Sequence, residues 1–292
     1  MLLKSYAKLN LYLQILGLRP DGYHNIRTIF ERISLCDKIT LKNLPYPQIK
    51  ISCNKSNVPS GSDNLVFKSV KLLQKKFGIK KGIYVRIVKH IPVGAGLGGG
   101  SGNAAAVLSA LNSLWGINLS RRELARCAAG IGSDVAFFIH DCKFAAGSGR
   151  GEVIRPLKRL ERLNLWHLLV VPRLHVSTPR VYKKWDLLKG AKATLTRPEY
   201  NVKILKSALR KKDLRTIQRA LFNGFEPITQ RIYPQVALAK ARAARQGLKT
   251  ILMSGSGPAF FGITASRKKA QILAGRLKRT SEPWQVFVVK TV

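Results

Sequence analysis

Residues 92–102, Pro-Val-Gly-Ala-Gly-Leu-Gly-Gly-Gly-Ser-Gly, hold six glycines in eleven positions and run directly into the Ala/Leu-rich segment Asn103–Trp115. Glycine loses more backbone freedom on folding than any other residue, so this density is costly unless the chain must bend sharply and let a ligand approach its backbone. A loop of this kind entering a helix presents free N–H groups and the positive end of the helix dipole to an anion, above all a nucleotide phosphate. The spacing is neither GxxxxGK[ST] nor a GxGxxG opening a Rossmann unit with an acid about twenty residues on. A different nucleotide-binding fold is implied, with a purely structural loop as the competing reading.

A second loop, Met253-Ser-Gly-Ser-Gly-Pro-Ala-Phe-Phe261, lies between short apolar segments. By itself it reads equally as a β-turn or as a pair of hydroxyls, Ser254 and Ser256, offered to the same phosphates. Phosphoryl transfer to an alcohol needs charge neutralisation and a group that orients or deprotonates the hydroxyl. The chain has 14 acidic residues against 52 basic ones, so the search for that group is short. Asp134 is set between a glycine turn and an apolar run, Ile131-Gly-Ser-Asp-Val-Ala-Phe-Phe138, where an acid is expensive unless paired or used. Most other acids are expected in turns, caps or charged helix faces. Lys8, inside the otherwise apolar Ala7-Lys-Leu-Asn10, is the natural cationic partner, its alternative being an edge-strand charge that blocks aggregation. Most other cations are expected to face solvent. Asp21-Gly-Tyr-His24 places a phenol beside an imidazole, readable as a turn or as a pair that stacks on a base and bonds its edge.

With 292 residues, 46% of them hydrophobic, the chain has material for two cores of ordinary size, and a composition shift near 155–165 divides it into domains 1–157 and 158–292. Strands are expected at 3–16, 26–42, 47–53, 82–91, 165–171, 249–253, 259–263 and 284–289. Helices are expected at 64–77 with Ser62-Asp63 as N-cap, at 103–115, at 121–129 behind Ser120, and near 200–210, 213–223, 234–246 and 267–279. No repeat or low-complexity tract interrupts this order. No apolar run reaches the roughly 18 residues needed to span a bilayer, and no leader pattern opens the chain. Cys36, Cys53, Cys127 and Cys142 are far apart and form no metal spacing, which fits a reducing cytoplasm. The net charge of +38 attracts phosphorylated metabolites, nucleic acid and acidic membranes alike and does not choose among them.

In their order, AKLN, DGYH, the PxGxGLGGGS loop, GSDV before a Phe pair, Ala145-Ala-Gly-Ser-Gly-Arg-Gly-Glu152 and SGSGPAFF span nearly the whole chain. The set resembles the kinase superfamily named for galactokinase, homoserine kinase, mevalonate kinase and phosphomevalonate kinase, and DGYH resembles its cytidyl-substrate branch. That resemblance implies an α+β fold of two domains with the active site in the cleft between them. It implies an ATP-dependent kinase, with Mg²⁺ accompanying ATP, that phosphorylates the 2-hydroxyl of 4-diphosphocytidyl-2-C-methyl-D-erythritol in non-mevalonate isoprenoid biosynthesis. By position, Lys8 and Asp134 correspond to the catalytic pair. The ATP-phosphate loop is Pro92, Val93, Gly94, Ala95, Gly96, Leu97, Gly98, Gly99, Gly100, Ser101 and Gly102. Asn10 falls beside the methylerythritol, Tyr23 and His24 at the cytosine, and Tyr182, in Thr178-Pro-Arg-Val-Tyr182, on the other face of that base.

Three positions depart from the resemblance: Gly102, where a small side chain such as Ser is usual; Ala136, where Pro is common; and Gly224, where an acid is common. The metal ligands are left open, and a cytoplasmic monomer or weak homodimer is expected. The competing readings are another small-alcohol kinase of the same superfamily and a nucleic-acid-binding protein on a kinase scaffold. Against the second, the basic residues are scattered, as in Arg267–Arg279, where they fill the polar face of a helix whose Ala270, Leu273 and Leu277 turn inward. No membrane partner and no specific nucleic acid are expected, beyond non-specific polyanion binding from the charge.

Overall fold

The computed structural model describes residues 1–188 and 201–292. In chain order the first half contains β1 (Leu2–Leu18), β2 (His24–Leu44), β3 (Ile49–Cys53), α1 (Leu65–Phe77), β4 (Gly82–Val88), α2 (Gly99–Leu114), α3 (Arg121–Ala128), α4 (Val135–Ile139), β5 (Phe144–Ser148) and β6 (Val153–Pro156). The second half contains β7 (Trp166–Pro172), α5 (Thr178–Leu188), α6 (Val202–Lys211), α7 (Leu214–Ala220), β8 (Phe222–Asn223), α8 (Glu226–Ile232), α9 (Pro234–Arg245), β9 (Ile251–Met253), β10 (Phe260–Thr264), α10 (Arg267–Lys278) and β11 (Trp284–Lys290).

The long antiparallel pair β1–β2 is the spine of the first sheet. Its inward positions on β2, Glu31, Ile33, Asp37, Ile39 and Leu41, follow the period of two that a strand imposes. One half of β2 pairs with β5 and the other with β4, so the sheet runs β3-β4-β2-β1-β8, with β5 and β6 continuing from β2. Helices α1 and α2 cover this sheet through Val66, Val70, Leu73, Leu108 and Leu111 packed on Ile39, Ile83, Val85 and Ile87, and α3 packs on α2 and α4. The second sheet, β11-β7-β10-β9, carries α9 and α10 on one face through Ala239, Ala243, Leu273 and Leu277.

Between the two sheets lies a shared core. Leu9 and Leu11 of β1, Ile91 just before the glycine loop, Ala95 and Leu97 within it, Leu169 of β7, Leu205 and Leu209 of α6 and Phe261 of β10 belong to one buried cluster. Each such side chain contributes about 1.5–3 kcal/mol by leaving water. The loop is therefore anchored from both halves of the chain. The second half also returns twice to the first sheet: β8 pairs in parallel with Tyr12 and Leu13, and Thr291 bridges Ile33.

Most expected elements are present, with local differences. Helix α2 starts at Gly99, four residues before the expected position, because the close packing of Gly99 on Lys89 and of Gly102 on Tyr6 outweighs the poor helix propensity of glycine. Asn64, and not Ser62-Asp63, caps α1 by accepting a hydrogen bond from the Val66 N–H. Ser120 and Glu123 form the capping box of α3. The helix expected over 213–223 ends at Ala220, where β8 joins the sheet. The expected start of the helix near 200 lies outside the described residues, and α6 begins at Val202. Among the described residues no helix is long and apolar enough to cross a membrane.

Candidate active site

The glycine loop takes left-handed backbone at Gly94, Gly96 and Gly98, and Gly98 is the N-cap of α2. At Gly96 the demand for glycine is absolute, since a Cβ would stand 2.1 Å from the Ser254 carbonyl oxygen. The two glycine loops thus touch backbone to backbone. Ser254 is fully buried and donates to the Gly96 carbonyl at 3.1 Å, and Ser256 shares a 2.6 Å hydrogen bond with Thr178. The second loop braces the first, and the Ser254 hydroxyl is spent on that brace. A cleft of about 500 Å³ opens over the first loop, lined by residues 92–101 and walled by Asn57, Asn64, Leu65, Lys89 and Thr178. At its floor the N–H groups of the first turn of α2 lack side-chain caps, the arrangement that favours an anion. Gly102 is separated from this set. It packs on the opposite side of α2, where a Cβ would stand 2.8 Å from the Tyr6 carbonyl oxygen, so a hydroxyl side chain there would meet β1 and not a phosphate.

Beside the cleft, Lys8 and Asp134 meet with Nζ 3.4 Å from Oδ2. Lys8 is held by its strand: its N–H donates to the Leu97 carbonyl, its stem packs against Gly98, and its ammonium lies over the Phe30 ring. The ammonium donates to Asn10 Oδ1 at 2.6 Å, while the Asn10 amide donates to Thr28 Oγ1, whose hydroxyl donates to the Tyr12 carbonyl. This chain fixes the Asn10 amide orientation and with it the direction of Lys8. Asp134 occupies the N-cap position of α4 yet makes no capping bond, so its carboxylate is turned to Lys8 and to the opening. The Lys8 side chain is 4% exposed and that of Asp134 28%, a buried cation facing a reachable carboxylate.

On the other side of Asp134 stands Tyr182, whose hydroxyl is pushed up to about 12 by burial and by the Asp134 charge. Its ring stacks on His24 at 4.7 Å and meets Phe225 edge-on. His24 Nε2 is 2.7 Å from Asp186 Oδ1, with Trp185 across the ring edge. His24 and Tyr182 are therefore brought together near the Lys8–Asp134 pair. Tyr23 is not part of this stack: it is 54% exposed, with the Arg150 guanidinium over its ring.

Three charged residues are exceptions to the expected solvent-facing majority. Glu31 and Asp37 are fully buried and Lys89 is 6% exposed, because period-two strand positions carry them inward. Lys89 pairs with Asp37 and donates to Asn103, and Asp37 also accepts from the His90 and Ile91 N–H groups. This network fixes the chain where it enters the glycine loop. The alternation Ile83, Val85, Ile87, Lys89 carries the signal in the sequence. Asp186, Trp185 and Phe225 carry none, since only the fold brings them to His24 and Tyr182. Among the described residues no three His, Cys, Asp or Glu side chains gather as a metal cluster.

Models of the GHMP kinases N terminal domain and the GHMP kinases C terminal domain match residues 64–141 and 205–282. The 4-diphosphocytidyl-2-C-methyl-D-erythritol kinase of Bacillus pumilus is 38% identical over 289 residues, 99% of this chain and 96% of the relative. The crystal structure of a 4-(cytidine 5'-diphospho)-2C-methyl-D-erythritol kinase superposes with a TM-score of 0.80 at 29% identity, covering 99% of each chain. The homoserine kinase of Cytophaga hutchinsonii shares the fold, with a TM-score of 0.71 at 18% identity over 100% of this chain and 95% of that one. With its two-sheet fold and a glycine loop flanked by Lys8 and Asp134, the chain belongs to the 4-diphosphocytidyl-2-C-methyl-D-erythritol kinase family of the GHMP kinases.

Proposed function

We infer that the chain is an ATP-dependent kinase that transfers the γ-phosphoryl group to the 2-hydroxyl of 4-diphosphocytidyl-2-C-methyl-D-erythritol, in the non-mevalonate route to isoprenoid precursors. The observation that carries the residue assignment is the 3.4 Å meeting of Lys8 and Asp134, with the Lys8 stem packed beside Gly98 of the glycine loop. The triphosphate lies along residues 92–101, where backbone N–H groups and the α2 dipole offset its charge. Asp134 accepts the proton of the 2-hydroxyl as that oxygen bonds to the γ-phosphorus, and the bond from phosphorus to the ADP oxygen breaks. The products are the 2-phosphate and ADP.

Lys8 has three N–H donors, of which Asn10 takes one and Asp134 another, leaving the third for charge on the reacting oxygens. Asn10 acts through Lys8 and borders the methylerythritol. His24 and Tyr182 form the inner wall of the cytosine site, and Tyr23, backed by Arg150, forms the outer one. Mg²⁺ in this class is carried largely by the phosphates and water. Ser101, whose hydroxyl lies toward the Gly132 turn, is the loop side chain that would touch it, and the metal supplies further charge neutralisation. The cytoplasm is the compartment assigned, in keeping with four free cysteines.

The test is ADP release with the cytidyl substrate, with its uridyl and adenyl counterparts, and with methylerythritol phosphate alone. Turnover confined to the cytidyl compound is expected. Equal turnover with methylerythritol phosphate would remove the cytosine site from the mechanism.

A further inference from the structure

Away from the ATP cleft, cations from several elements gather where the two halves of the chain meet. Lys206 and Arg210 of α6 face Lys158 and Arg159 of the turn after β6 across a pocket of about 290 Å³ walled by Pro156 and Leu157. Arg27 of β2 and Arg155 of β6 lie close enough to act on the same ammonium: Lys206 is held below the usual lysine range by burial first, then by Arg210, Arg27 and Arg155. None of these six shares an ion pair with a carboxylate of the described residues. Lys206 and Arg210 are also four residues apart on one helix, a spacing at which like charges destabilise the helix.

A solvated basic face does not look like this. On α10 the cations stand on exposed positions of a single helix, whereas here exposed cations of a turn and a helix face one another across one concave seat around half-buried Lys206, with Arg27 and Arg155 close by. Repulsion of this kind is relieved when a multivalent anion occupies the seat, and charge-assisted hydrogen bonds from Arg and Lys suit phosphoryl oxygens. A half-open pocket of this small volume, with Pro156 and Leu157 in its wall, has room for a compact anion, whereas an extended polymer needs a long continuous track.

We propose that the Lys158–Arg159–Lys206–Arg210 pocket is a second, non-catalytic anion site that takes a compact multivalent phosphate of the diphosphate or triphosphate class. It joins α6 to the end of β6, so an anion bound there ties the second half of the chain to the first.

The test uses the full-length protein with its ATP cleft filled by a non-hydrolysable ATP analogue, titrated calorimetrically with inorganic tripolyphosphate at about 150 mM salt, where surface charges are screened beyond about 8 Å. One further saturable site is expected. The Lys206→Gln/Arg210→Gln double variant should weaken that site by about tenfold or more and raise the melting temperature of the anion-free protein. The Lys268→Gln/Arg276→Gln double variant on α10 should leave both quantities unchanged. Absence of a further site, equal weakening by both double variants, or tighter binding of single-stranded RNA than of tripolyphosphate at these residues would each overturn the proposal.

Discussion

Replacing Asp134 by asparagine preserves shape and one acceptor oxygen, so what is lost is charge and basicity. Two unit charges 3.4 Å apart interact by about 1.2 kcal/mol at the dielectric of water and by about 5 kcal/mol at an effective dielectric of 20. Lys8 is buried and Asp134 is more than a quarter exposed, so the pair sits between these limits and the variant should lose about 1–3 kcal/mol of stability. For a chain of this size that lowers the melting temperature by about 2–6 °C. The loss arises because Lys8 keeps its burial while retaining only neutral Asn10 as acceptor. With Asp134 proposed as the general base, the variant should lower turnover by about 10²–10⁴-fold, and ATP, proposed to sit on backbone N–H groups, should bind with little change. Steady-state ADP release, calorimetric binding of a non-hydrolysable ATP analogue and a thermal melt measure the three quantities. Turnover within about tenfold of wild type, or an ATP affinity that falls in step with turnover, would refute the reasoning.

Gly96→Ala places a methyl 2.1 Å from the Ser254 carbonyl oxygen at a φ of 76°, so it should force the two loops apart and weaken ATP-analogue binding more than it lowers turnover at saturation. Asp37→Asn removes the charge opposite buried Lys89, and urea unfolding should show a loss of about 3–5 kcal/mol, with weaker ATP binding because the chain entering the loop loses its anchor. The Tyr182 hydroxyl is neutral in the fold up to about pH 12 but ionises near 10 when unfolded. Its stabilising contribution is complete below pH 10 and lost as pH rises to 12, with a slope of about 1.4 kcal/mol per unit. Tyr182→Phe should abolish that slope in alkaline melts, leaving the part due to the Cys142 thiol, which burial pushes up to about 11.

Local patterns made much of the site legible in the sequence. A glycine run entering an Ala-rich helix, an acid before an apolar run and a lysine in an apolar strand all announce themselves within a few residues, and the fold brings Lys8 to Asp134 across more than a hundred positions. Capping chemistry did the same for Ser120. Gly102 was harder, because the eleven-residue run 92–102 reads as one loop, although its final four residues are already helix and turn to different neighbours. Glu31, Asp37 and Lys89 were legible in principle, since each continues an inward strand alternation, but the charge of the side chain masked its position. The partners of His24 were not legible. Asp186 and Trp185 reach it through α5, Phe225 at the start of α8 meets its stacking partner Tyr182, and no spacing in the sequence encodes that approach.

The most direct measurement is a crystal structure of the complex with a non-hydrolysable ATP analogue and 4-diphosphocytidyl-2-C-methyl-D-erythritol. The expected result is a γ-phosphate over residues 96–101, with the substrate 2-hydroxyl within about 3.5 Å of Asp134 Oδ2 and of the Lys8 ammonium. A 2-hydroxyl remote from both side chains, or a triphosphate seated away from the glycine loop, would contradict the assignment of this cleft.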